Sequence, residues 1–246
     1  MAIFLEDITA NNNDLTNNGA AEITSSLPFS QSTIAVDFEL GDGDYLSAAD
    51  SASLSITGDM TFEGWYNFES LPADGEQYVF LAKSNSGTSQ RSYLFSLINV
   101  SGTYRLLASI SDDGTNQNQV RTNWTPSTGT WYHVAITVDV SNAVATQFEF
   151  FIDGSSLGNG SVISDDSATA IYNSTAILTI GATNEGAAAF FDGKSDEVRL
   201  WDDIRTGTEI TNNKSIELVG NEANLVAYWP FESTLGASSA GFFSIL

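Results

Sequence analysis

Short runs in which apolar and polar residues alternate recur along the chain, and this alternation constrains the fold more than any other feature. The runs are rich in aromatic and β-branched residues, which favour strands, and turn-forming residues separate them. Strands are therefore predicted at 33–40, 60–68, 77–83, 92–100, 103–110, 131–140, 146–154, 176–183, 195–201 and 224–232. Their number and spacing predict an all-β fold, an antiparallel sandwich or barrel.

Two hairpins and one helix follow from local sequence. NVSGT (99–103) lies between two predicted strands, and IDGSSLG (152–158) contains an Asp-Gly pair that supports the positive φ of a tight turn. The stretch GTEITNN (207–213) predicts a short helix, with Thr208 as its N-cap and Glu209 in its first turn.

Charge excludes two classes of partner. Thirty-one acids face eight bases, which gives a net charge of −23. Such a field repels nucleic acid and anionic membranes, since both require a positive patch, and it favours cations and solubility. We therefore expect neither nucleic-acid binding nor membrane insertion.

Several kinds of segment and site are missing from the sequence. There is no cysteine, which excludes disulfides, thiolate zinc sites and thiol nucleophiles. No run approaches the roughly 18 apolar residues of a membrane span. The opening MAIFLED lacks the basic and apolar regions of a signal peptide, so such a segment was removed, the chain is an excised module, or export follows another route.

Several segments, taken together, resemble the laminin G-like, concanavalin A-like jelly roll, in particular its bacterial laminin G-like three branch, with pentraxins more distant. The matching segments are 7–20, 35–68, TGTWYHVAITVD (128–139), FEFFIDGSSLG (148–158), 178–183, FDGKSDEVRLWDDIRTGTEI (191–210) and NLVAYWPFE (224–232). The resemblance covers most of the chain. It implies one domain over 1–246, two stacked antiparallel sheets of six or seven strands each, and termini that lie close together.

The tail 233–246 departs from the family pattern and ends in apolar residues, including Phe242, Phe243 and Leu246. It is interpreted as a final strand or docked tail, or as an assembly segment that completes the sheet edge of a neighbouring subunit. The family's modules usually belong to secreted or surface proteins, which implies an extracellular location or a cell or particle surface.

Catalysis is not predicted, so the protein is expected not to be an enzyme. The single histidine, His133, lies in a predicted strand without an evident nucleophile, whereas a triad needs three positioned groups. Glu149 and Asp153 share a strand face, but Asp153 belongs to a turn and no third acid completes the alternating pattern of jelly-roll glycosidases.

A structural Ca²⁺ is the expected cofactor. Calcium takes oxygen ligands, and DFELGDGDY (37–45) places acids among glycines that expose carbonyl groups. The family resemblance implies Asp196, the first acid of DEVRLW, as a ligand, with Asp44, Glu39 and the Gly41 carbonyl as further ligands. Alternatively, Asp196 caps backbone amides at the start of its strand. Glu197 and Arg199 are interpreted as a partly exposed ion pair.

Carbohydrate recognition is the leading functional hypothesis. Sugar sites combine an aromatic ring with polar side chains, and polar stretches at 111–124, 164–169 and 183–190 are predicted as rim loops. The candidate ligand-binding residues are Asn116, Asn118, Arg121, Trp124 and Asn184. The expected partner is a glycan or a surface protein. The alternatives are a self-assembling structural subunit, forming a homo-oligomer, filament or virion coat, and a polysaccharide hydrolase or lyase.

Overall fold

The protein is a two-layer antiparallel β-sandwich, as predicted; a computed structural model describes residues 5–232. The helices are α1 (Val144–Gln147) and α2 (Gly207–Asn213). The strands are β1 (Thr16–Asn18), β2 (Glu22–Thr24), β3 (Ala35–Phe38), β4 (Tyr45–Ala48), β5 (Met60–Phe68), β6 (Gln77–Asn85), β7 (Gln90–Val100), β8 (Thr103–Ile110), β9 (Asn118–Asn123), β10 (Trp131–Val138), β11 (Phe148–Ile152), β12 (Ser155–Gly158), β13 (Ser161–Ser164), β14 (Leu178–Ile180), β15 (Gly193–Trp201) and β16 (Leu225–Trp229).

Each sheet contains eight of these strands, more than the six or seven expected. Sheet A has the order β1-β4-β14-β6-β7-β8-β9-β13, and sheet B has the order β12-β11-β10-β5-β15-β3-β2, with β16 also pairing β15. The additional strands are short ones near the sheet edges. Their polar sequences carry little alternation, so pairing with a neighbouring strand decides that they are strands.

The main core lies between the sheets and is built from the inward positions of the long strands. Phe62 of β5 stacks on Phe95 of β7, with ring centroids 5.0 Å apart and planes within 5°. Tyr66 and Phe80 pack beside them at 4.5 Å. Full burial of one such side chain contributes roughly 1.5–3 kcal/mol, so this aromatic layer fixes the two sheets face to face.

The two predicted hairpins are confirmed. Ser101 and Gly102 join β7 to β8 with φ of 54° and 74°, and Asp153 and Gly154 join β11 to β12 with φ of 53° and 83°. Positive φ at both central residues matches the twist of antiparallel strands.

Two local predictions need correction. Helix α2 forms where expected, but its N-cap is Thr206 rather than Thr208, and Thr206 and Glu209 form a reciprocal capping box. The stretch 111–124 is not one rim loop, because strand β9 occupies its second half and pairs with β8 over six residues.

The two ends of the described chain lie together, as expected. The Ile8 amide donates to the Tyr228 carbonyl at 3.1 Å, and the Tyr228 amide donates to Asp7 at 3.1 Å. The tail 233–246 lies outside the described residues, so its assembly role and the single domain over 1–246 stay predictions. None of the helices within residues 5–232 is long and apolar enough to cross a membrane.

Candidate functional site

The outer face of sheet A carries polar side chains at positions that point away from the core. Because successive residues of a strand alternate in direction, the neighbours of buried core residues such as Phe95, Leu106 and Val120 face outward. Strands β6 to β9 and the residue just before β9 supply these outward residues. We call the polar ones the polar face, defined by Gln77, Ser96, Ser109, Gln117 and Gln119.

An apolar floor underlies the polar face. Val79, Ala82, Leu94 and Leu107 form a small buried cluster separate from the main core. The loop 183–190 packs beside it, since the Val79 amide donates to the Ala189 carbonyl at 3.2 Å and Thr183 bridges to Ala188. The floor and this loop give the sheet surface a side wall.

Hydrogen bonds order the amide side chains of the polar face. Gln117 Nε2 donates to Ser109 Oγ at 2.8 Å, and Gln119 Nε2 donates to Gln117 Oε1 at 3.3 Å. Ser96 Oγ donates to Gln77 Oε1 at 3.4 Å. These bonds use part of each amide's capacity. The glutamines are half-buried, whereas Ser96 and Ser109 are at most 1% exposed, so the glutamine amides are the groups that a polar ligand can meet.

Three open cavities follow one another along this face. A central cavity of 170 Å³ lies over Ser109 and Gln119, and one of 370 Å³ adjoins it at Gln77, beside Phe190. The third, of 660 Å³, adjoins it where Arg121 lies opposite Leu107. We call these three cavities together the track. Because strands lie about 4.8 Å apart, the track extends about 14 Å across the four strands from β6 to β9. The third cavity has the size of a small-molecule site.

Two arginines line the third cavity. Arg105 Nε donates to Asn123 Oδ1 at 3.0 Å, and its Nη1 donates to the Val100 carbonyl at 3.2 Å. The Nε atom of Arg121 is buried without a hydrogen-bond partner. Burial, and secondly the charge of Arg105, lower the pKa of Arg121.

Two of the five predicted ligand-binding residues, Arg121 and Asn184, line this track. Asn184 accepts hydrogen bonds from the amide and hydroxyl of Ser86, both at 2.9 Å. Asn116 is exposed in the turn before β9, where its side chain donates to Asp113 at 2.8 Å.

The other two predicted residues lie inward. Asn118 is 1% exposed, and its amide bonds Gln147, the Ala168 carbonyl and the Asp166 amide. Trp124 is half-buried against Phe68 and Tyr132. Their binding roles stay predictions, but a ligand would have to displace these internal contacts to reach either side chain.

A β-bulge in β15 places two consecutive acids on one face. The pairing of β15 with β5 shifts register between Asp196 and Arg199, and Glu197 has a φ of 54°. The extra residue turns Glu197 to the outer side of sheet B beside Asp196, while Val198 returns to the core. Regular alternation would have separated the two acids.

Glu232 joins these two acids to form a cluster whose carboxylate oxygens lie within 4.8 Å of one another. Burial first, and then the charge of Glu197, raise the pKa of Asp196. Burial raises the pKa of Glu197 to about 7, and Glu197 Oε1 is buried without a hydrogen-bond partner. These oxygens suit Ca²⁺, and the buried free oxygen is a donor atom that a cation or a proton can satisfy.

The other predicted calcium ligands lie elsewhere. Glu39 is exposed and clusters with Asp37 and Glu69, next to Lys194. Asp44 is 1% exposed and accepts hydrogen bonds from the amides of Ala20 and Glu39. Gly41 is exposed in a short 3₁₀ turn, Leu40–Asp42. The structure therefore does not gather Glu39 or Asp44 with Asp196 in one cluster.

Glu197 and Arg199 are not the partly exposed pair expected, because both are buried to within 1% exposure. The loop that follows α2 covers them, and Arg199 donates to the carbonyls of Asn213 and Ile216. Arg199 also lies 3.5 Å from Glu63. Burial alone would raise the pKa of Glu63, but the contact with His133 and the charge of Arg199 hold it at about 2. Glu63 is thus the ionised partner of Arg199.

His133 belongs to the same buried network. It is 1% exposed, its Nε2 lies 3.3 Å from Glu63 Oε2, and Trp65 packs edge-on against its ring at 5.4 Å. Burial lowers the pKa of His133 despite the nearby Glu63. The network ties β5, β10, β15 and β16 together beneath α2, an arrangement that stabilises the outer layer of sheet B.

Sequence reasoning missed Gln117 and Gln119, because it placed the polar residues of 111–124 in a loop. It also missed Gln77 and Arg105, because it sought the ligand site in rim loops and these two residues lie in the predicted strands 77–83 and 103–110. One signal was available. Gln117, Gln119, Arg121 and Asn123 alternate with Asn118, Val120 and Thr122, which is the period of a strand with one outward polar edge.

A laminin G family model, described as the concanavalin A-like lectin/glucanases superfamily, matches residues 40–211, more than half of the chain. No curated protein sequence matches the chain significantly.

Solved structures share the fold at low sequence identity. Domain 4 of an extracellular arabinanase from Geobacillus stearothermophilus, in complex with arabinotriose, is 19% identical with a TM-score of 0.59, covering 85% of this chain and 92% of that one. The enzymatically active domain of bacteriophage CBA120 tailspike protein 2 is 15% identical with a TM-score of 0.61, covering 94% of this chain and 34% of that one. A heptameric pentraxin of Limulus polyphemus is 15% identical with a TM-score of 0.51, covering 72% and 78%.

Proposed function

The chain belongs to the laminin G-like family of the concanavalin A-like lectin/glucanases superfamily, and on that premise we propose that it is a non-catalytic carbohydrate-binding module. The polar face of sheet A is the proposed binding surface. The sequence predicted binding by rim loops, whereas we propose the sheet surface as the main contact area. Arg121 and Asn184 are binding residues in both hypotheses.

One observation carries this proposal, namely ordered, half-buried glutamine amides next to the apolar cluster of Leu94 and Leu107. Sugars present hydroxyl groups in fixed directions and apolar C–H faces between them. Gln117 and Gln119 offer both donors and acceptors, whereas Leu94 and Leu107 offer apolar contact. Because internal hydrogen bonds already order the glutamines, a ligand pays little entropy to fix them.

The track suits a chain of sugars better than a single one. Its three cavities adjoin at Gln77 and at the Leu107–Arg121 position, so one oligosaccharide can contact several of them. The arabinanase domain, which has this fold, is described in complex with arabinotriose. The related proteins include extracellular and phage proteins, and we place this module outside the cell or on a particle surface.

A glycan-array screen of the purified chain, with and without Ca²⁺, tests the function. Binding to an oligosaccharide should weaken about five- to tenfold in the variant Gln119→Ala, the effect of one lost hydrogen bond. The control is Gln31→Ala, since Gln31 is an exposed amide away from the track. Absence of binding to every glycan, or equal loss in both variants, contradicts the proposed function.

The non-catalytic part of the proposal has its own test. Polysaccharides incubated with the chain should release no new reducing ends. In the structure, the buried acids Glu63 and Glu197 are engaged with Arg199 and covered by the loop after α2, an arrangement that suits support rather than hydrolysis. New reducing ends that disappear in a Glu63→Gln variant would instead favour a hydrolase.

We further propose a structural Ca²⁺ held by Asp196, Glu197 and Glu232. The supporting observation is the buried free oxygen of Glu197 within a cluster of three acids. A cation there would relieve their mutual repulsion and join β15 to the segment after β16.

A self-assembling subunit is the second candidate function. Strand β13 is the outermost strand of sheet A, and its Val162 and Ile163 are 40% and 45% exposed. An exposed apolar edge strand can pair with another chain, and the pentraxin with this fold is described as heptameric. Size-exclusion chromatography with negative-stain microscopy distinguishes the two: rings or filaments favour assembly, and a monomer contradicts it.

A further inference from the structure

The third cavity is lined by basic residues, although the protein as a whole is strongly acidic. Only eight of the 246 residues are basic, and they face thirty-one acids. Even so, Arg105 and Arg121 both line this one cavity. They lie on neighbouring strands at diagonal positions, because Arg105 pairs Asn123 and Arg121 pairs Leu107. Diagonal positions of this kind are about 7–8 Å apart, close enough for two guanidinium groups to reach one ligand.

Neither arginine has an acidic partner among the described residues. Of the six other bases, four form ion pairs with acids, Arg91 donates to the Thr115 carbonyl, and Lys214 lies over the Trp65 ring. Arg105 and Arg121 differ from Arg91 and Lys214 because they line one cavity together, where their like charges repel each other. An anion bound between them would relieve this repulsion.

The hydrogen bonds of the two side chains leave donors for such an anion. Arg105 is anchored through Nε and Nη1 to Asn123 and Val100, so its Nη2 group stays available. Arg121 makes no hydrogen bond to the described residues, and its Nε is buried and unpartnered. A guanidinium group with free donors binds a carboxylate or sulfate through two parallel bonds.

The walls of the cavity match a sugar ring that carries an acidic group. Leu157 and Ile163 are exposed apolar residues at its rim, and Thr122, Asn123 and Ser161 add polar groups. The cavity continues into the polar face at Leu107, where the rest of a saccharide chain would lie.

We propose that this cavity is a subsite for the acidic group of an anionic saccharide, a carboxylate or a sulfate, bound by Arg105 and Arg121. The inference rests on the proposed carbohydrate-binding function and specifies its ligand class. The net charge of −23 does not oppose it at short range, because charges beyond about 8 Å are largely screened at physiological ionic strength.

The test titrates the full chain calorimetrically with matched oligosaccharides: a tetragalacturonate, its carboxyl-reduced neutral counterpart, and a sulfated galactose oligomer. The acidic compounds should bind at least about tenfold more tightly than the neutral one. Arg121→Gln and Arg105→Gln should each remove most of that preference, and Arg121→Lys should retain part of it because it keeps the charge without the fork. The carboxylate and sulfate arms distinguish the two kinds of acid.

Arg205→Gln is the matched control, since it changes net charge equally but removes an arginine that is paired with Asp203 and Glu209. Thermal unfolding of each variant verifies that it is folded. Equal binding of the neutral and acidic oligosaccharides, unchanged in both arginine variants, would overturn the acidic subsite and leave the carbohydrate-binding function standing. Absence of binding to all three overturns the acidic subsite, whereas the carbohydrate-binding function fails only if the glycan array also shows no binding. Equal binding of a poly-glutamate peptide would assign the arginines to a peptide instead.

Discussion

Arg199 Nη2 donates to Glu197 Oε2 at 2.5 Å inside the outer layer of sheet B, where both side chains are at most 1% exposed. The bulge at Glu197 makes this contact possible, because it turns Glu197 to the same side of the strand as Asp196 and leaves Arg199 opposite Glu63. One local irregularity thus builds both the buried ion pair and the acidic cluster.

Removing Arg199 should destabilise the protein strongly. Arg199→Met leaves Glu63 and Glu197 buried without their cation, which costs about 3–5 kcal/mol in the free energy of unfolding. The comparison variant is Arg205→Met, whose ion pairs are partly exposed, with an expected cost of about 1 kcal/mol or less. Denaturant titration of both variants measures the difference, and similar costs would contradict the structural role of the buried network.

Acid should weaken the fold mainly below pH 4.5. Between about pH 7 and 4.5 two effects oppose each other: the pKa of His133 is lowered by burial, which favours proton uptake by the unfolded chain, whereas the pKa of Glu197 is raised to about 7, which favours proton uptake by the folded protein. The pKa of Glu63 is about 2 in the fold against 4.5 in the unfolded chain, so its stabilisation is present above pH 4.5 and is lost as pH falls toward 2.

Denaturant unfolding at a series of pH values tests this dependence. Glu63→Gln should reduce the loss of unfolding free energy below pH 4.5. Glu22→Gln, at an exposed strand residue, should leave that loss unchanged. If the unfolding free energy of Glu63→Gln falls with pH as steeply as that of the unaltered protein, other acids control the pH dependence.

Calcium should raise the thermal unfolding temperature, and chelation should lower it. Asp196→Asn should abolish this response while leaving the metal-free protein equally stable or more stable, because it removes a buried charge repelled by Glu197. Glu69→Gln, in the other acidic cluster, should keep the full response. The calcium site is excluded if chelation has no effect, or if Asp196→Asn responds like the unaltered protein.

Asn118 and Asn116, two residues apart, should behave differently. Asn118→Ala leaves buried partners on Gln147, Ala168 and Asp166 unsatisfied, and we expect a loss of about 2–4 kcal/mol. Asn116→Ala removes one exposed side-chain bond to Asp113 and should cost less than about 1 kcal/mol. Equal costs in denaturant titrations would contradict the burial of Asn118.

Gly193 should not tolerate a side chain. Its φ is 139°, and an added Cβ would lie 2.1 Å from the Asn67 carbonyl oxygen on β5, so Gly193→Ala should cost at least about 2 kcal/mol. Gly58→Ala has open space and should be neutral or slightly stabilising. Thermal unfolding of the pair measures this contrast, and an unaffected Gly193→Ala variant would contradict the close approach of β15 to β5.

The long strands were predictable because their alternation is a local property. Segment 60–68 was assigned with its observed bounds, and 103–110 likewise, since both carry strong apolar residues at every second position. Strand β9 was not, because four of its six residues are Asn, Gln and Arg, which do not favour strands by themselves, and pairing with β8 makes this segment a strand.

The candidate site was predictable only in part. Arg121 and Asn184 were identified as polar residues, but their meeting on one face depends on cross-strand register. Asn118 has the same composition signal as Asn116, yet the direction of its position in β9 buries it.

The order of residues is enough to predict a sandwich of alternating strands with an acidic surface, because every second side chain of a strand faces the core. Which polar residues share a face depends on how the strands pair. A bulge inverts the direction of Glu197, and the register of β8 with β9 brings Arg105 beside Arg121. Both depend on how distant segments pair, and side-chain direction on a strand changes completely with a shift of one residue.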